Sequence, residues 1–92
     1  MKYRIEESVR FKRDYKRIIK QRRDMEKLRQ VISLLANGDE LPAQYRDHIL
    51  YGDYTGFREC HIESDWLLIY KIQNDVLILT LQRTGSHSEL FR

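Results

Sequence analysis

The sequence lacks the residues and runs that mark several protein classes. Cys60 is the one cysteine among 92 residues, which excludes an intramolecular disulfide and is typical of a reducing compartment. Pro42 is the one proline, and the four glycines are isolated from one another, so no glycine-rich loop is present to cradle phosphates. The longest apolar runs, 66–70 and 76–81, are far too short to cross a bilayer. We therefore expect no membrane span.

The residues that are present are typical of a small globular protein. Hydrophobic residues make up 41% of the sequence and charged residues 34%, and a chain of this length can build one hydrophobic core. We therefore expect a single domain over residues 1–92. The first eight residues alternate charged and apolar side chains and contain no apolar stretch like that of a signal peptide, so we expect the protein to stay in the cytoplasm.

Charge is distributed unevenly along the chain, although the net charge is only +3. Residues 1–36 carry 12 Lys and Arg against 5 Asp and Glu, whereas residues 37–92 carry 5 against 9. The first part is therefore basic and the second acidic. Two interpretations stay open: the basic part is an ordinary solvated helix surface, or it docks an acidic partner or the backbone of a nucleic acid.

The first third of the chain predicts one strand and two helices. Apolar and charged residues alternate over residues 2–6, as in a short half-buried strand. Ser8 is placed to cap a first helix, and Asp24 to cap a second helix that stops at Asn37-Gly38. Each helix has one apolar stripe, and the connection between them is short. We therefore expect an antiparallel helical hairpin.

The middle of the chain predicts a strand hairpin. Two runs of strand-forming residues, 57–62 and 67–72, flank a short polar turn. We expect residues whose numbers sum to 129 to face each other, which places His61 opposite Leu68.

A further strand over 76–81 follows a turn at Asn74-Asp75. Its apolar side chains lie on both faces, which favours a strand inside the sheet. A two-residue turn would bring Trp66 opposite Arg83 and onto the face of His61, whereas a turn one residue longer would reverse the faces. Together the elements predict an α+β domain, with an N-terminal strand and a helical hairpin packed on a mostly antiparallel sheet.

Three histidines, His48, His61 and His87, lie where strands or their connections approach the surface. Imidazoles titrate near neutral pH, so two of them can act as base and acid without much tuning. RNA cleavage needs such a pair: one group removes the proton of the 2′-hydroxyl, another protonates the 5′-oxygen, and a cation such as Arg83 holds the phosphate. The histidines therefore fit RNA cleavage as well as inert surface positions.

Other uses of these residues have less support. No two histidines lie within a few residues of each other on one element and no HExxH or Cys-His spacing occurs, so we expect no metal site. Ser86 and His87 do not form a serine hydrolase site, because sequence neighbours point apart; Ser86 instead is placed to cap a last helical turn. Trp66 and Phe91 each have two open interpretations, as an apolar plug or as a ring that stacks on a nucleobase.

The chain resembles a known family over nearly its whole length, and most specifically in its second half. Its segments LPAQYRDHILYGDYTGFRECHIESDWLLIYK and QRTGSHSELF resemble the YafQ branch of the RelE-type toxins from bacterial type II toxin-antitoxin modules. The resemblance implies a RelE-like microbial RNase fold. It also implies an endoribonuclease that cuts messenger RNA in the ribosomal decoding site without metal or other cofactor. The implied partners are the ribosome with its message and a cognate antitoxin, and a complex with the antitoxin on operator DNA is left open.

The resemblance also assigns roles to individual residues. It implies a catalytic set of His48, His61, Asp65 and His87, in which His48 and His87 serve as base and acid in either order. It implies a substrate-binding set of Trp66, Arg83 and Phe91. Two alternatives stay open: a relative that binds RNA or a partner without cleaving, and a purely structural partner-binding domain.

Overall fold

The structure, a computed structural model, describes residues 1–91 and contains one five-stranded sheet with the order β1-β5-β4-β3-β2. β1 runs parallel to β5, and the other neighbours are antiparallel. The expected α+β class with a mostly antiparallel sheet is therefore confirmed. The elements are β1 Arg4–Glu7, α1 Val9–Lys20, α2 Met25–Asn37, β2 His48–Ile49, β3 Arg58–Glu63, β4 Trp66–Gln73, β5 Ile78–Gly85 and α3 His87–Leu90, with short 3-10 turns at Ala43–Tyr45 and Gly52–Tyr54.

The helix ends are set by the residues that the sequence singled out. The Ser8 hydroxyl accepts a hydrogen bond from the Phe11 amide, and the Asp24 carboxylate accepts one from the Glu26 amide. Both contacts satisfy amide groups that have no partner inside the helix. α2 ends at Gly38, whose φ of +81° is the left-handed conformation that glycine adopts most readily. No helix in residues 1–91 has the length and apolar character needed to cross a membrane.

The two faces of the sheet are covered differently. α1 and α2 pack on one face, where the main core forms; its largest fully buried members include Phe11, Ile18, Leu28, Val31, Trp66, Leu68 and Tyr70. The other face carries a smaller cluster, in which Leu67 and Ile69 of β4 are covered by Leu90 and by partly buried residues of the 50–57 segment. We call this second face the open face, because no long helix covers it.

The expected register of the central hairpin is wrong by one residue over most of its length. His61 faces Leu67, not Leu68, and Cys60 faces Leu68. The expected pairing returns only at Glu63 and Trp66, because a register shift lies between His61 and Glu63. A bulge of this kind cannot be seen in an alternating pattern. As a result His61 lies on the open face with Leu67.

The expected pairing of the last two strands is also wrong. The turn after Gln73 spans four residues, β5 begins only at Ile78, and a second register shift then places Arg83 opposite Ile69. Trp66 therefore does not share a face with His61 and Arg83; it lies in the helix-covered core. The expectation of an interior strand is confirmed, because β5 pairs with β1 on one side and β4 on the other.

Candidate active site

Three imidazole rings form a row on the open face. His48 lies in β2, His61 in β3 and His87 at the first position of α3. The ring centroids of His48 and His61 are 6.0 Å apart, and those of His61 and His87 are also 6.0 Å apart. We call these three rings the imidazole row. Residues that are far apart in the sequence thus meet at one place.

His48 has a hydrogen-bond acceptor at each ring nitrogen. Its Nδ1 is 2.8 Å from the carbonyl oxygen of Arg46, which can only accept, so Nδ1 carries a proton and donates it. Its Nε2 is 3.3 Å from Oε1 of Glu59. The ring of His48 is therefore held at both of its nitrogen atoms.

Glu59 is the residue of the site that the sequence interpretation missed. It is only 3% exposed, and its Oε1 lies between the Nε2 atoms of His48 and His61, at 3.3 and 3.7 Å. A buried carboxylate without such partners would be unfavourable. The available signal was its spacing: Glu59 and His61 are two residues apart on a strand and share a face in any register.

His61 occupies the middle of the row and is the least exposed of its three rings, at 8%. Its Nδ1 is buried and has no hydrogen-bond partner in residues 1–91. Because buried polar atoms are nearly always satisfied, an atom of this kind is a candidate contact for a bound ligand.

His87 is oriented by Asp65 from the turn between β3 and β4. Oδ1 of Asp65 accepts the backbone amide of His87 at 3.0 Å and lies 3.2 Å from its Nδ1. These hydrogen bonds lower the pKa of Asp65, which keeps its carboxylate ionised. Ser86 caps α3 as expected, and Glu89 completes a reciprocal capping box with it. The contact with Asp65 engages Nδ1 of His87 and not Nε2.

An aromatic cluster continues the row beyond His87. The Phe91 ring lies 6.1 Å from the His87 ring and 5.8 Å from that of Tyr54, and Tyr54 in turn contacts Phe57 edge-to-face at 6.1 Å. Phe91 is 43% exposed. Tyr54 and Phe57 were not among the expected site residues. The partly exposed Phe91 offers a ring on which a base can stack.

Arg83 and Trp66 are engaged inside the protein. The Arg83 guanidinium donates from Nε to Asp14 at 2.7 Å and from Nη2 at 3.1 Å, and this pairing raises the pKa of Arg83. Trp66 is 0% exposed, and its Nε1 donates to the hydroxyl of Thr84 at 3.0 Å. The structure therefore supports the interpretation of Trp66 as an apolar plug, because its ring is closed to a nucleobase in this conformation.

The row also gathers atoms that could hold a metal ion. Among residues 1–91, His48, Glu59 and His61 form such a group, with one ligand atom from each and all three atoms within 4.8 Å of one another. Sequence spacing did not indicate this group, because the pairing of β2 with β3 creates it. Two of the separations, 3.3 and 3.7 Å, are close to the roughly 3.4 Å expected between ligands of a tetrahedral ion with bonds of about 2.0–2.1 Å. The donor set therefore fits a transition metal.

Known proteins resemble the chain over almost its whole length. Residues 3–92 match the family described as the bacterial toxin of type II toxin-antitoxin systems, YafQ. The mRNA interferase toxin YafQ of Escherichia coli K12 is 43% identical over 88 residues, which cover 95% of this chain and 94% of that protein. The crystal structure of the E. coli DinJ-YafQ complex covers 98% of this chain and 99% of that chain, at 42% identity and a TM-score of 0.90. A metal-bound toxin from Helicobacter pylori covers 99% of this chain and 100% of that chain, at 43% identity and a TM-score of 0.90.

Proposed function

The chain belongs to the YafQ family of toxins from bacterial type II toxin-antitoxin systems, and we propose that it cleaves messenger RNA on the ribosome without a metal ion. Its E. coli relative is an mRNA interferase, and this chain is likewise an endoribonuclease. The finer proposal rests on the imidazole row, since three rings at 6.0 Å intervals supply a base, an acid and a ligand for the phosphate between them.

In this proposal the outer rings, His48 and His87, transfer the protons. A phosphate bound over His61 lies between them, so that one ring takes the proton of the attacking 2′-hydroxyl and the other protonates the leaving 5′-oxygen. We assign the acid to His48: its Nδ1 donates to the Arg46 carbonyl, and its Nε2, which lies 3.3 Å from Glu59, turns from that carboxylate to protonate the leaving oxygen. Asp65 holds His87 with Nδ1 protonated, which leaves Nε2 free to act as the base.

The proposed substrate contacts lie at the His87 end of the row. Phe91 and Tyr54 offer aromatic rings beside His87, where a base of the message can stack. Arg83 contributes to the phosphate only if it leaves Asp14, or acts at longer range. We therefore place Phe91 in the substrate surface and assign Trp66 to the core.

The basic helices are the proposed docking surface for ribosomal RNA. Within the described part of the chain, several of their cations are exposed and have no acidic partner: Arg10, Lys12, Arg13, Lys16, Lys20 and Arg22. Arg17 differs, because it pairs with Asp14 at 3.0 Å and Glu89 at 3.1 Å. Contacts of free cations with phosphates should make ribosome association fall steeply with salt. A cognate antitoxin is the proposed inhibitor, in line with the E. coli DinJ-YafQ complex.

The direct test is single-turnover cleavage of a ribosome-bound message by protein that has been stripped of metal with EDTA. Ribosomes require magnesium, so the assay keeps magnesium and omits transition metals. We expect undiminished cleavage on the ribosome and little cleavage of naked RNA. A rate that depends on added zinc or copper would overturn metal independence. Ribosome binding without any cleavage would favour the alternative of a non-catalytic RNA-binding relative.

A second function, transition-metal binding, is favoured by the ligand geometry of His48, Glu59 and His61 and by the metal-bound toxin from H. pylori. An ion there would act as a Lewis acid on its ligands and would occupy the nitrogen atoms that cleavage needs for protons. We therefore expect zinc or copper to inhibit cleavage. Calorimetry should show zinc binding that His61→Asn weakens at least about tenfold and His87→Gln leaves unchanged. Equal binding by both variants would exclude this site.

A further inference from the structure

β2, the strand that carries His48, has little to hold it in place. It contains only His48 and Ile49, both exposed, and pairs with β3 at two positions. Arg46, two residues before β2, has a φ of +49°, a conformation that non-glycine residues adopt at some cost. Yet the Nδ1 and Nε2 contacts of His48 require that the ring keep a fixed position. Contacts other than the backbone pairing of β2 with β3 must therefore hold His48 in place.

Asp47 supplies a second attachment from the opposite face of the sheet. Neighbouring residues of an extended chain point to opposite faces, and the Asp47 carboxylate reaches β3 and β4 on the helix-covered side. Its Oδ2 accepts from Nε and Nη2 of Arg58 at 3.2 and 3.0 Å, and its Oδ1 accepts from the Tyr70 hydroxyl at 2.5 Å. Arg58 and Tyr70 are themselves paired across β3 and β4. A further contact from Nε of Arg58 reaches Oδ1 at 3.4 Å, so four hydrogen bonds tie Asp47 to two strands.

The surroundings of Asp47, Arg58 and Tyr70 make the Asp47 end of the 39–47 connector depend on their hydrogen bonds. A cleft of about 600 Å³ lies beside them, between the 39–47 connector and the sheet. Leu41 and Tyr45 of the connector pack against the main core, but close packing is missing beside Asp47, so its polar contacts hold this end of the connector. Burial and the Asp47 carboxylate raise the pKa of Tyr70 far above neutrality, so its hydroxyl remains a donor at every pH at which the protein works. Asp47 likewise raises the pKa of Arg58.

We propose that Asp47, Arg58 and Tyr70 are positioning residues that hold His48 in the imidazole row. This inference rests on the proposed function, because its kinetic consequence is a slower proton transfer. Loss of the Tyr70 hydroxyl leaves Oδ1 of Asp47 with only the long 3.4 Å contact from Arg58, and lets the 46–48 segment turn into the cleft. His48 then loses its alignment with Glu59, while ribosome docking through α1 and α2 is unaffected.

Tyr70→Phe is the sharpest variant, because the ring that packs in the core is kept and only the hydroxyl is removed. Displacements of about 1 Å can cost about 100-fold in rate, so we expect single-turnover cleavage to fall about 10-fold to 100-fold with unchanged ribosome affinity. Tyr51→Phe is the matched control, since Tyr51 is 76% exposed and its hydroxyl lies outside the network. Its rate should equal that of the parent.

A nuclear magnetic resonance titration of the His48 ring separates positioning from general destabilisation. Tyr70→Phe should shift the His48 resonances and their pH midpoint, and should leave those of His87 in place. Asp47→Asn should give the same pattern. Arg58→Lys keeps the charge but loses the two-point contact, so it should shift the His48 resonances by a smaller amount.

A cleavage rate within threefold of the parent together with unmoved His48 resonances would overturn the proposal. If the parent itself fails to cleave, the proposed function fails, and the ring titration still decides whether the network holds His48.

Discussion

The two outer histidines of the row are held by supports of opposite character. His48 depends on Asp47, whose partners lie in the sheet and whose hydroxyl donor, Tyr70, is buried. His87 depends on Asp65, in a pair whose side chains are 57% and 66% exposed. The Asp47–Arg58 ion pair is itself partly exposed, with side chains 25% and 40% exposed, so only the hydrogen bond from Tyr70 is shielded from solvent. Water and salt weaken an exposed ion pair and barely reach a buried contact. We infer that the His48 end of the row is less sensitive to solvent than the His87 end.

α3 adds a second support for His87, which also comes from side chains near the surface. Arg17 of α1 pairs with Glu89, and Gln21 donates to the same carboxylate at 2.9 Å. Glu89 accepts from the Ser86 amide as well, and these contacts together lower its pKa despite partial burial. The first helix thereby links the basic surface to the position of His87. Mutations meant to probe docking should leave Arg17 in place.

The largest expected effect is the loss of either outer ring. His48→Gln and His87→Gln keep a polar side chain but cannot transfer a proton near neutral pH, and loss of a general acid or base costs about 100-fold to 10,000-fold in rate. Single-turnover cleavage on ribosomes measures this, with thermal unfolding as the check on folding. His87 is exposed, so its replacement should change stability by less than about 0.5 kcal/mol, whereas His48→Gln also removes an imidazole partner of the buried Glu59 and should cost more. A rate within threefold of the parent would remove that residue from the pair.

A smaller effect is expected from Gly85→Ala, which attacks the support of His87 alone. Gly85 has a φ of +153°, and an added Cβ would lie 2.7 Å from Nη2 of Arg17 and 2.8 Å from Oε1 of Glu89. Moving these side chains breaks the contacts of Glu89 with Arg17 and Ser86, which hold α3 in position. We expect a loss of about 1–3 kcal/mol in stability and a fall in cleavage of about tenfold, roughly the scale of a small misplacement.

Gly52→Ala is the control for the change at Gly85. Gly52 also has a positive φ, +65°, but its Cβ would meet nothing within 4 Å. The Gly52→Ala variant should lose stability from backbone strain alone and should keep the cleavage rate of the parent. Equal losses of activity in the two variants would mean that strain, and not the seating of α3, limits cleavage. The ring resonances of His48 should be unchanged in both.

The helices and caps were predictable because they depend on local rules. Ser8, Asp24 and Gly38 act where the sequence places them, and apolar stripes mark the buried faces. Strand registers were not predictable to one residue, because the register shifts in β3 and β5 follow from packing between distant segments. A one-residue shift moves a side chain to the other face, which is why Trp66 was expected beside His61.

The candidate site was predictable in its residue types and less so in its geometry. Family resemblance indicated all three histidines and Asp65, and the structure brings them together. Glu59 was missed because a single acidic residue in a strand has no motif of its own. The Asp47 network was missed for a different reason: its three members are 11 to 23 residues apart and meet only through the pairing of β2, β3 and β4.

The smallest expected effect belongs to Asp65→Asn, and it tests the difference between the two supports directly. The asparagine oxygen can still accept the His87 amide, and the ring keeps a weaker acceptor at Nδ1. We expect the cleavage rate to fall only about threefold to tenfold, as for loss of one exposed orienting contact. Asp47→Asn should cost more.

The pH dependence of the Asp65 contact has a defined sign. Hydrogen bonds from His87 lower the pKa of Asp65 below its ordinary value of 3.8. The contact therefore contributes stability above that value and loses its contribution as pH falls through the lowered pKa in the folded protein. The amide resonance of His87 should report this transition at a pH below 3.8, and Asp65→Asn should abolish it. Raising the salt concentration to about 1 M, where the screening length is about 3 Å, should shift the ring resonances of His87 more than those of His48. If salt shifts the His48 and His87 resonances equally, the two supports do not differ in their sensitivity to solvent, contrary to the exposures of Asp65 and Tyr70.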